Sequence, residues 1–200
     1  MPYFCNEDFQ FQYFTTTGLF FHLSDCVILG FGNGANLINS AIKNSETFYI
    51  GADPFLNTTA RLIRDLLDNK INNIKIWPDD IREILPFFPD NSVAEIKILF
   101  PDPWPKTKHM NRRLIQESFI EDLYNILIPN GTITLATDHS ILKSWILEVF
   151  QRNKGYFWTA NQKLDWQKRP LDCFATKYEQ KSIEAKREPS WFIFQKMICN

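Results

Sequence analysis

One acid of this sequence stands in a segment that would hold it rigidly beside a flat aromatic ring. Asp102 lies between Pro101 and Pro103, and Trp104 follows directly. Prolines fix φ and remove N–H donors, so the segment is stiff, as a site must be to hold a reacting group within attack distance. The ring of Trp104 offers a face on which a nucleobase can stack. The segment therefore predicts a site that acts on a base.

A basic stretch follows this acid. Its members are Lys106, Lys108, His109, Arg112 and Arg113. Cationic side chains of this kind neutralise the phosphates of nucleic acids. An acid, an aromatic ring and a basic stretch together favour a nucleic-acid modification site over a hydrophobic core. We predict that the chemistry is centred on the Asp102 segment and that Trp104 and the basic stretch form its substrate side.

The distribution of charge agrees with a polyanionic substrate. The net charge is only −1, but residues 1–96 carry 6 basic and 12 acidic side chains, whereas residues 97–200 carry 16 and 11. Such an imbalance also arises on an ordinary solvated surface. It supports nucleic-acid binding only together with the motif around Asp102.

A second candidate site is the run Gly30-Phe31-Gly32-Asn33-Gly34, which follows an apolar run. Glycines at the end of a first strand let the backbone pass close to a ligand, and the helix beyond offers free N–H groups. Leu37 occupies the third-glycine place of the dinucleotide pattern, and an acidic N-terminal half would serve a pyrophosphate poorly. The run therefore predicts a net-cationic nucleoside cofactor in preference to NAD.

Two further acids follow the next two strand candidates. Asp53 comes about 20 residues after the glycine run, the offset of a ribose-binding acid. Asp80, the second acid of an Asp-Asp pair, closes the third strand candidate, where a carboxylate can accept from an adenine amino group. Each is also a good helix N-cap residue, and the two roles are compatible.

Short β-rich runs alternate with amphipathic segments as far as residue 152. The strand candidates are Cys26–Leu29, Phe48–Gly51, Ile74–Trp77, Ala94–Phe100 and Thr132–Ala136. The helix candidates are Ala35–Lys43, Leu56–Asn69, Ile81–Phe87, Arg112–Leu127 and Ile141–Arg152. This alternation predicts an α/β fold with a mostly parallel, doubly wound sheet.

Two aromatic, alternating runs end the sequence, Gly155–Thr159 and Trp191–Lys196. Residues 161–190 between them are polar and show no clear helix, so the runs predict an antiparallel hairpin at the C-terminal edge of the sheet. Residues 1–25 lack periodicity and stay an unassigned N-terminal arm.

The bulk properties predict a single domain over residues 1–200. No apolar stretch approaches the roughly 20 residues that span a bilayer, so we expect no membrane segment. The four cysteines are scattered, without Cys or His partners at zinc-ligand spacing, so we expect neither a metal site nor a disulfide framework. Reduced cysteines favour a cytoplasmic protein.

The segment FPDPWPKTKHMNRRLIQ resembles the signature of the bacterial tRNA (guanine-N7) methyltransferases. The similarity continues over residues 27–182. It includes Pro89-Asp90-Asn91-Ser92 before the fourth strand, Thr137-Asp138 after the fifth, and Thr176-Lys177-Tyr178-Glu179. The resemblance implies a Rossmann-like class I methyltransferase fold, S-adenosylmethionine as cofactor and tRNA as partner, and it leaves the oligomeric state open.

The resemblance also implies roles for individual residues. The activity it implies is methyl transfer to N7 of a guanosine in the variable loop of tRNA. Cofactor-binding positions fall on Gly30, Phe31, Gly32, Asn33, Gly34, Asp53, Asp80 and Asp102, with Asp102 also in the catalytic position. Target-contacting and RNA-contacting positions fall on Lys106, Lys108, His109, Arg112, Arg113, Asp138, Thr176, Lys177, Tyr178 and Glu179.

The sequence departs from the family at two places. Ile28 stands where the family usually has an acid that receives a hydrogen bond from the cofactor's amino group. Losing that charge-assisted bond would weaken cofactor binding about ten- to hundredfold. Residues 180–189 also replace an expected glycine-containing loop. Two alternatives therefore stay open: a methyltransferase with another RNA or nucleobase target, and an inactive RNA-binding relative or partner subunit.

Overall fold

The computed structural model describes residues 25–198, so the unassigned N-terminal arm lies outside the described residues except for Asp25. The strands are β1 Asp25–Leu29, β2 Tyr49–Ala52, β3 Ile74–Trp77, β4 Val93–Leu99, β5 Leu127–Thr137, β6 Tyr156–Trp158 and β7 Ser190–Lys196. The helices are α1 Ala35–Lys43, α2 Leu56–Asp68, α3 Glu117–Ile126, α4 Ser140–Arg152, α5 Lys163–Gln167 and α6 Lys177–Glu184.

One seven-stranded sheet contains all of these strands, in the order β3-β2-β1-β4-β5-β7-β6. Strands β1 to β5 are parallel, and β7 is antiparallel to both β5 and β6. This confirms the predicted mostly parallel sheet with an antiparallel hairpin at its C-terminal edge. The strand order reverses between β1 and β4, and ligands of such sheets bind in the crevice at the carboxyl ends of strands at this point.

Successive residues of the strands alternate between two cores. On β2, Ile50 and Ala52 belong to a buried cluster that also contains side chains of α3 and α4. Tyr49 of the same strand belongs to a second cluster with residues of α1 and α2. Because side chains of a strand point alternately to opposite faces, helices cover both faces of the sheet, as a doubly wound fold requires.

The segment of residues 168–176, which we call the strap, crosses one face of the sheet between α5 and α6. Its Cys173 is buried with Leu99, Ala136 and Trp191. Lys97 of β4, only 2% exposed, binds the strap through Asp172, with its Nζ 2.9 Å from Oδ2 and 3.1 Å from the main-chain oxygen. Glu95 lies 3.2 Å from the same Nζ. The strap is thus fixed to the central strand by the buried Lys97, whose ammonium pairs with two partly exposed carboxylates.

Two of the predicted helices are wrong in part. Ile81–Phe87 is not one helix but two 3-10 turns, Ile81–Glu83 and Leu85–Phe87, because Pro86 supplies no N–H to continue the first. The segment predicted as Arg112–Leu127 becomes α-helical only at Glu117, after a 3-10 helix at Thr107–Arg112. Residue Arg113 is extended at this junction, which lets its side chain turn back toward the Asp102 segment.

The polar segment before β7 also differs from the prediction, because it contains the short helices α5 and α6. Their five and eight residues hold too few apolar positions for a periodic pattern to be visible. One local signal does exist, since Thr176 followed three residues later by Glu179 matches a helix-start pattern. Its first half is present: Thr176 Oγ1 accepts from the Glu179 N–H at 3.0 Å.

Candidate functional site

The predicted site residues come together at one edge of the sheet. Strands β1, β2, β3, β4 and β5 are parallel, so their carboxyl ends meet at the same edge. The residues that follow these ends are the glycine run, Asp53, Asp79-Asp80, the Asp102 segment and Asp138. Chain order thus places five candidate segments around one crevice.

The glycine run forms a loop that a side chain would obstruct at some positions and a ligand could approach at others. Gly34 has φ +77°, and a Cβ there would lie 2.7 Å from Leu62 Cδ1. Gly30 has φ +68°, and a Cβ there would meet nothing within 4 Å. The lack of a Cβ at Gly34 lets the loop pack against α2, and Gly30 leaves open space beside the backbone. The loop therefore fits the close approach of a nucleoside cofactor.

Asp53 ties this loop to the second strand. The residue is 4% exposed. Its Oδ2 accepts from the Gly32 N–H at 2.9 Å, and its Oδ1 accepts from the Phe55 N–H at 3.0 Å. The carboxylate thus orders both the glycine loop and the start of α2. A contact with a ribose remains a prediction, and any such contact would share a carboxylate that already accepts two backbone hydrogen bonds.

Asp80 caps the first 3-10 turn after β3. Its Oδ1 accepts from the Arg82 N–H at 3.0 Å, and its carboxylate forms an ion pair with the Arg82 guanidinium. The hydrogen bond from the Arg82 side chain lowers the pKa of Asp80, and partial burial opposes this shift. An adenine amino group at this position would share the carboxylate with Arg82, so the predicted contact remains untested.

The Asp102 segment is held in an unusual backbone conformation. Phe100 and Trp104, on either side of it, have φ of +55° and +38°, which non-glycine residues rarely adopt. The Phe100 N–H donates to Ala136 O at 2.8 Å, which joins the start of the segment to β5. The side chain of Asp102 is exposed between these two fixed points. Prolines and tertiary contacts together therefore present the carboxylate to solvent.

Arg113 holds the other end of this segment. It is 4% exposed, its Nη2 donates to Trp104 O at 3.3 Å, and its guanidinium lies 4.9 Å from the centroid of the Trp145 ring. This buried position favours a role in holding Trp104 over the RNA contact predicted for Arg113. Sequence patterns did not separate it from its neighbours because all are basic residues of one short stretch.

The remaining basic residues of the stretch line the surface beside Trp104. Lys106, Lys108 and Arg112 are exposed, and His109 is half-buried. The Arg112 guanidinium lies 5.0 Å from the centroid of the Trp104 ring, and the His109 ring meets it edge-on at 5.6 Å. A stacked base would have to use the other face of Trp104 or displace Arg112.

Asp138 joins the end of β5 to the far end of α6. Its Oδ2 accepts from Ser182 Oγ at 2.8 Å and from Arg187 Nε at 2.6 Å. Burial raises the pKa of Asp138, but these hydrogen bonds, a backbone hydrogen bond and the charge of Arg187 together outweigh burial, and the net pKa is lowered. Sequence patterns did not mark Ser182 or Arg187, because neither belongs to a recognisable motif.

The start of α6 lies over the glycine loop. Tyr178 Cε2 is 3.6 Å from the place of a Cβ on Gly32, and both Tyr178 and Lys177 are exposed. Glu179 is buried, and its Oε2 lies 2.7 Å from Arg169 Nη1 of the strap. The predicted residues of α6 therefore do lie beside the predicted cofactor loop.

Two cavities open between α6 and the glycine loop. The larger, of about 730 Å³, is lined by residues that include Asn33, Arg169, Thr176 and Glu179. A smaller one, of about 20 Å³, shares Asn33 and Thr176 with it. The larger volume is within the range of ligand sites, so there is room for a nucleoside cofactor or a nucleotide. Asp102 lines neither cavity.

Neither a membrane helix nor a metal cluster is found in the part of the chain that the structure describes. Within residues 25–198, no helix is both long and apolar enough to cross a bilayer. Over the same range, no three His, Cys, Asp or Glu residues form a group that could hold a metal ion.

Comparisons with known proteins give a consistent result. A family model described as "Putative methyltransferase" matches residues 24–191. The tRNA (guanine-N(7)-)-methyltransferase of Rhodospirillum rubrum is 34% identical over 168 residues, which are 84% of this chain and 66% of that protein. The protein of the same name from Agrobacterium fabrum is 33% identical over 166 residues, 83% of this chain and 72% of that protein. The match thus spans just under two thirds of the first relative's length.

Solved structures resemble the chain in fold. An rRNA methylase from Streptococcus thermophilus superposes with a TM-score of 0.56 at 12% identity, covering 89% of this chain and 90% of that one. TrmN from Thermus thermophilus gives 0.59 at 16% identity, covering 88% of this chain and 45% of that one. At these identities the likeness concerns the fold alone.

Proposed function

The chain belongs to the tRNA (guanine-N(7)-)-methyltransferase family, and from this premise we propose that it transfers a methyl group from S-adenosylmethionine to N7 of a guanosine in tRNA. Its solved neighbours share the class I methyltransferase fold. The finer target, a guanosine of the variable loop, is part of the proposal, as is cytoplasmic action on tRNA by a single domain.

The observation that carries the proposal is the rigid presentation of Asp102 at the carboxyl end of β4. The glycine loop after the neighbouring strand β1 lies at the same edge, and bound S-adenosylmethionine supplies an electrophilic methyl group there. Residues of the glycine loop, with Asp53 and Asp80, would hold this cofactor. The exposed lysines and Arg112 beside Trp104 would bind RNA phosphates.

Methyl transfer to guanine N7 requires that the base be oriented and that its developing positive charge be stabilised. Guanine N7 has an in-plane lone pair, so no proton has to leave before attack, but the ring becomes cationic as the bond forms. In our proposal Asp102 and Glu179 accept from the amide and amino edge of the guanine. They would thereby orient the base and offset its developing positive charge. The ion pair with Arg169 fixes the carboxylate of Glu179 at the larger cavity.

The test combines methyl transfer with mapping. Purified protein is incubated with unmodified tRNA transcripts and S-adenosylmethionine carrying a labelled methyl group, and the modified nucleotide is located by cleavage and mass spectrometry. We expect 7-methylguanosine in the variable loop. Asp102→Ala should lower kcat by about a hundredfold, since it removes an orienting carboxylate from the reacting base. Asp122→Ala, in an exposed position of α3, is the matched control.

Either of two results would contradict the proposal and favour another function. Label on another nucleotide would favour a methyltransferase with a different RNA target. Binding of tRNA without any methyl transfer, and without affinity for S-adenosylmethionine at millimolar concentration, would identify an inactive RNA-binding relative.

A further inference from the structure

A buried oxygen beside the glycine loop has no hydrogen-bond partner in the described part of the chain. It is Oδ1 of Asn36, a residue in the first turn of α1 that is 4% exposed. Buried amide oxygens are nearly always satisfied, because leaving one unpaired after removal from water is unfavourable. An unpaired acceptor at a predicted ligand site therefore indicates a donor supplied by the ligand.

The orientation of this oxygen is set by the other half of the side-chain amide. Asn36 Nδ2 donates to Phe174 O of the strap at 3.0 Å. With the amino group engaged there, the oxygen of the amide points away from the strap's main chain. A flipped amide would put two carbonyl oxygens together, so the assignment of the acceptor is firm.

The space next to Asn36 has room for one small group. Asn36 lines the cavity of about 20 Å³ together with Gly30, Gly32, Leu99 and Thr176. A cavity of this size holds a single water or a group of similar size, such as an ammonium. It lies where the loop after β1 meets the end of β4, at the point where the strand order of the sheet reverses.

Only one donor of S-adenosylmethionine suits this place. The ribose hydroxyls and the adenine amino group are predicted to lie at Asp53 and Asp80, which follow β2 and β3, on the other side of β1. The remaining strong donor is the α-ammonium of the methionine part. The acid that usually receives this ammonium in the family is replaced by Ile28 in this chain.

We propose that Asn36 Oδ1 accepts a hydrogen bond from the α-ammonium of S-adenosylmethionine and takes over the part of the acid absent at residue 28. The inference rests on the proposed function in so far as that function names the cofactor. It makes Asn36 a cofactor-binding residue, and it explains how a chain with Ile28 retains recognition of the amino group.

Binding measurements test this without reference to activity. Dissociation constants are measured by calorimetry for S-adenosylhomocysteine and for its deamino analogue, in which butanoate replaces the aminobutanoate. The wild-type protein should bind S-adenosylhomocysteine about ten- to hundredfold more tightly than the analogue, as expected for one hydrogen bond to a charged group. In Asn36→Leu this ratio should fall close to one.

The ratio of the two dissociation constants distinguishes recognition of the ammonium by Asn36 from a purely structural role of this residue. Asn36→Leu also loses the bond to Phe174, but that loss weakens both ligands equally and leaves the ratio unchanged. Asn44→Leu, at the other end of α1, is the matched control and should keep both wild-type affinities. Adding Ile28→Glu to Asn36→Leu should restore the ratio, because it returns an acid to the family's position.

A second variant covers failure of the first to fold. Asn36→Ala adds no bulk beside Phe174 and should likewise bring the ratio close to one, because it removes the oxygen acceptor. An unchanged ratio in Asn36→Leu or Asn36→Ala overturns the inference and leaves the proposed function intact. Failure of the wild-type protein to bind S-adenosylhomocysteine at millimolar concentration overturns the proposed function itself.

Discussion

At the scale of single residues, the acids of the site have more than one task. Asp53 accepts the N–H groups of both Gly32 and Phe55, so one carboxylate orders the glycine loop and starts α2. Asp138 likewise binds Ser182 and Arg187 and thereby fixes the segment after α6. In both cases a side chain that is predicted to contact a ligand also forms hydrogen bonds that hold separate segments of the chain together.

Asp53→Asn tests how far cofactor binding depends on the two hydrogen bonds that Asp53 accepts. The substituted amide offers one oxygen acceptor where the carboxylate offered two, so either Gly32 or Phe55 loses its partner. We expect the Kd for S-adenosylmethionine to rise at least tenfold, with a smaller loss of thermal stability. Calorimetry and thermal unfolding give the two values, and Asp68→Asn at the exposed end of α2 is the control. Unchanged cofactor affinity would mean that the loop orders itself without Asp53.

At the scale of elements, the strap decides where α6 lies. Its Asp172 is fixed to Lys97 of the central strand, its Arg169 binds Glu179, and its last residue, Thr176, caps α6. Burial raises the pKa of the Glu95 carboxyl in this cluster. Burial also raises the pKa of Asp172, but the hydrogen bonds with Lys97 and Glu95 and the charge of Lys97 together outweigh burial, and the net pKa is lowered. One buried lysine therefore links the sheet to the predicted target-binding helix.

Lys97→Met tests this link. Removing the cation deprives the partly exposed carboxylates of Asp172 and Glu95 of the charge and hydrogen bonds of Lys97, which costs about 1–3 kcal/mol. We expect loss of stability of this size by chemical denaturation. In the folded fraction, we expect a larger KM for tRNA than the wild type, because the strap no longer positions α6. The double variant Lys97→Met with Asp172→Asn should recover part of the stability; no recovery would argue against the pairing.

At the scale of the whole molecule, charge is arranged for a polyanion in spite of a net charge of −1. The exposed cations Lys106, Lys108 and Arg112 lie at the carboxyl edge of the sheet, next to the site. The acidic N-terminal half supplies the strands and loops that are predicted to hold a cationic cofactor. Each half of the chain thus carries the sign of charge that suits the ligand proposed for it.

The salt dependence of tRNA binding tests this arrangement. Affinity should fall steeply between 50 and 200 mM salt, in proportion to the number of phosphates contacted. Lys108→Gln should weaken binding of different tRNAs equally and reduce the slope of log K against log salt by about one. Lys154→Gln, in the turn between α4 and β6 at the opposite edge of the sheet, should leave the slope unchanged. Equal slopes for Lys108→Gln and wild type would remove this lysine from the interface.

The sequence by itself determined the approximate positions of the strands, the mostly parallel character of the sheet and the five loops at the carboxyl ends, because period-two and period-3.6 patterns and turn residues are local properties. Helix α1 and strand β3 have the predicted bounds. The Asp102 motif and the glycine run could also be read locally, since each is contiguous.

Only the tertiary structure decided which side chains are exposed at the site and which pack against protein. Arg113 and Lys108 are basic residues of the same short stretch, yet Arg113 is buried and donates to Trp104 O, whereas Lys108 is exposed. The unpaired oxygen of Asn36 arises because Phe174, far away in the chain, takes the other half of its amide. Such contacts depend on segments that are distant in sequence and meet in space, which no local pattern encodes. They distinguish residues that support the structure of the site from residues that are available to bind a ligand.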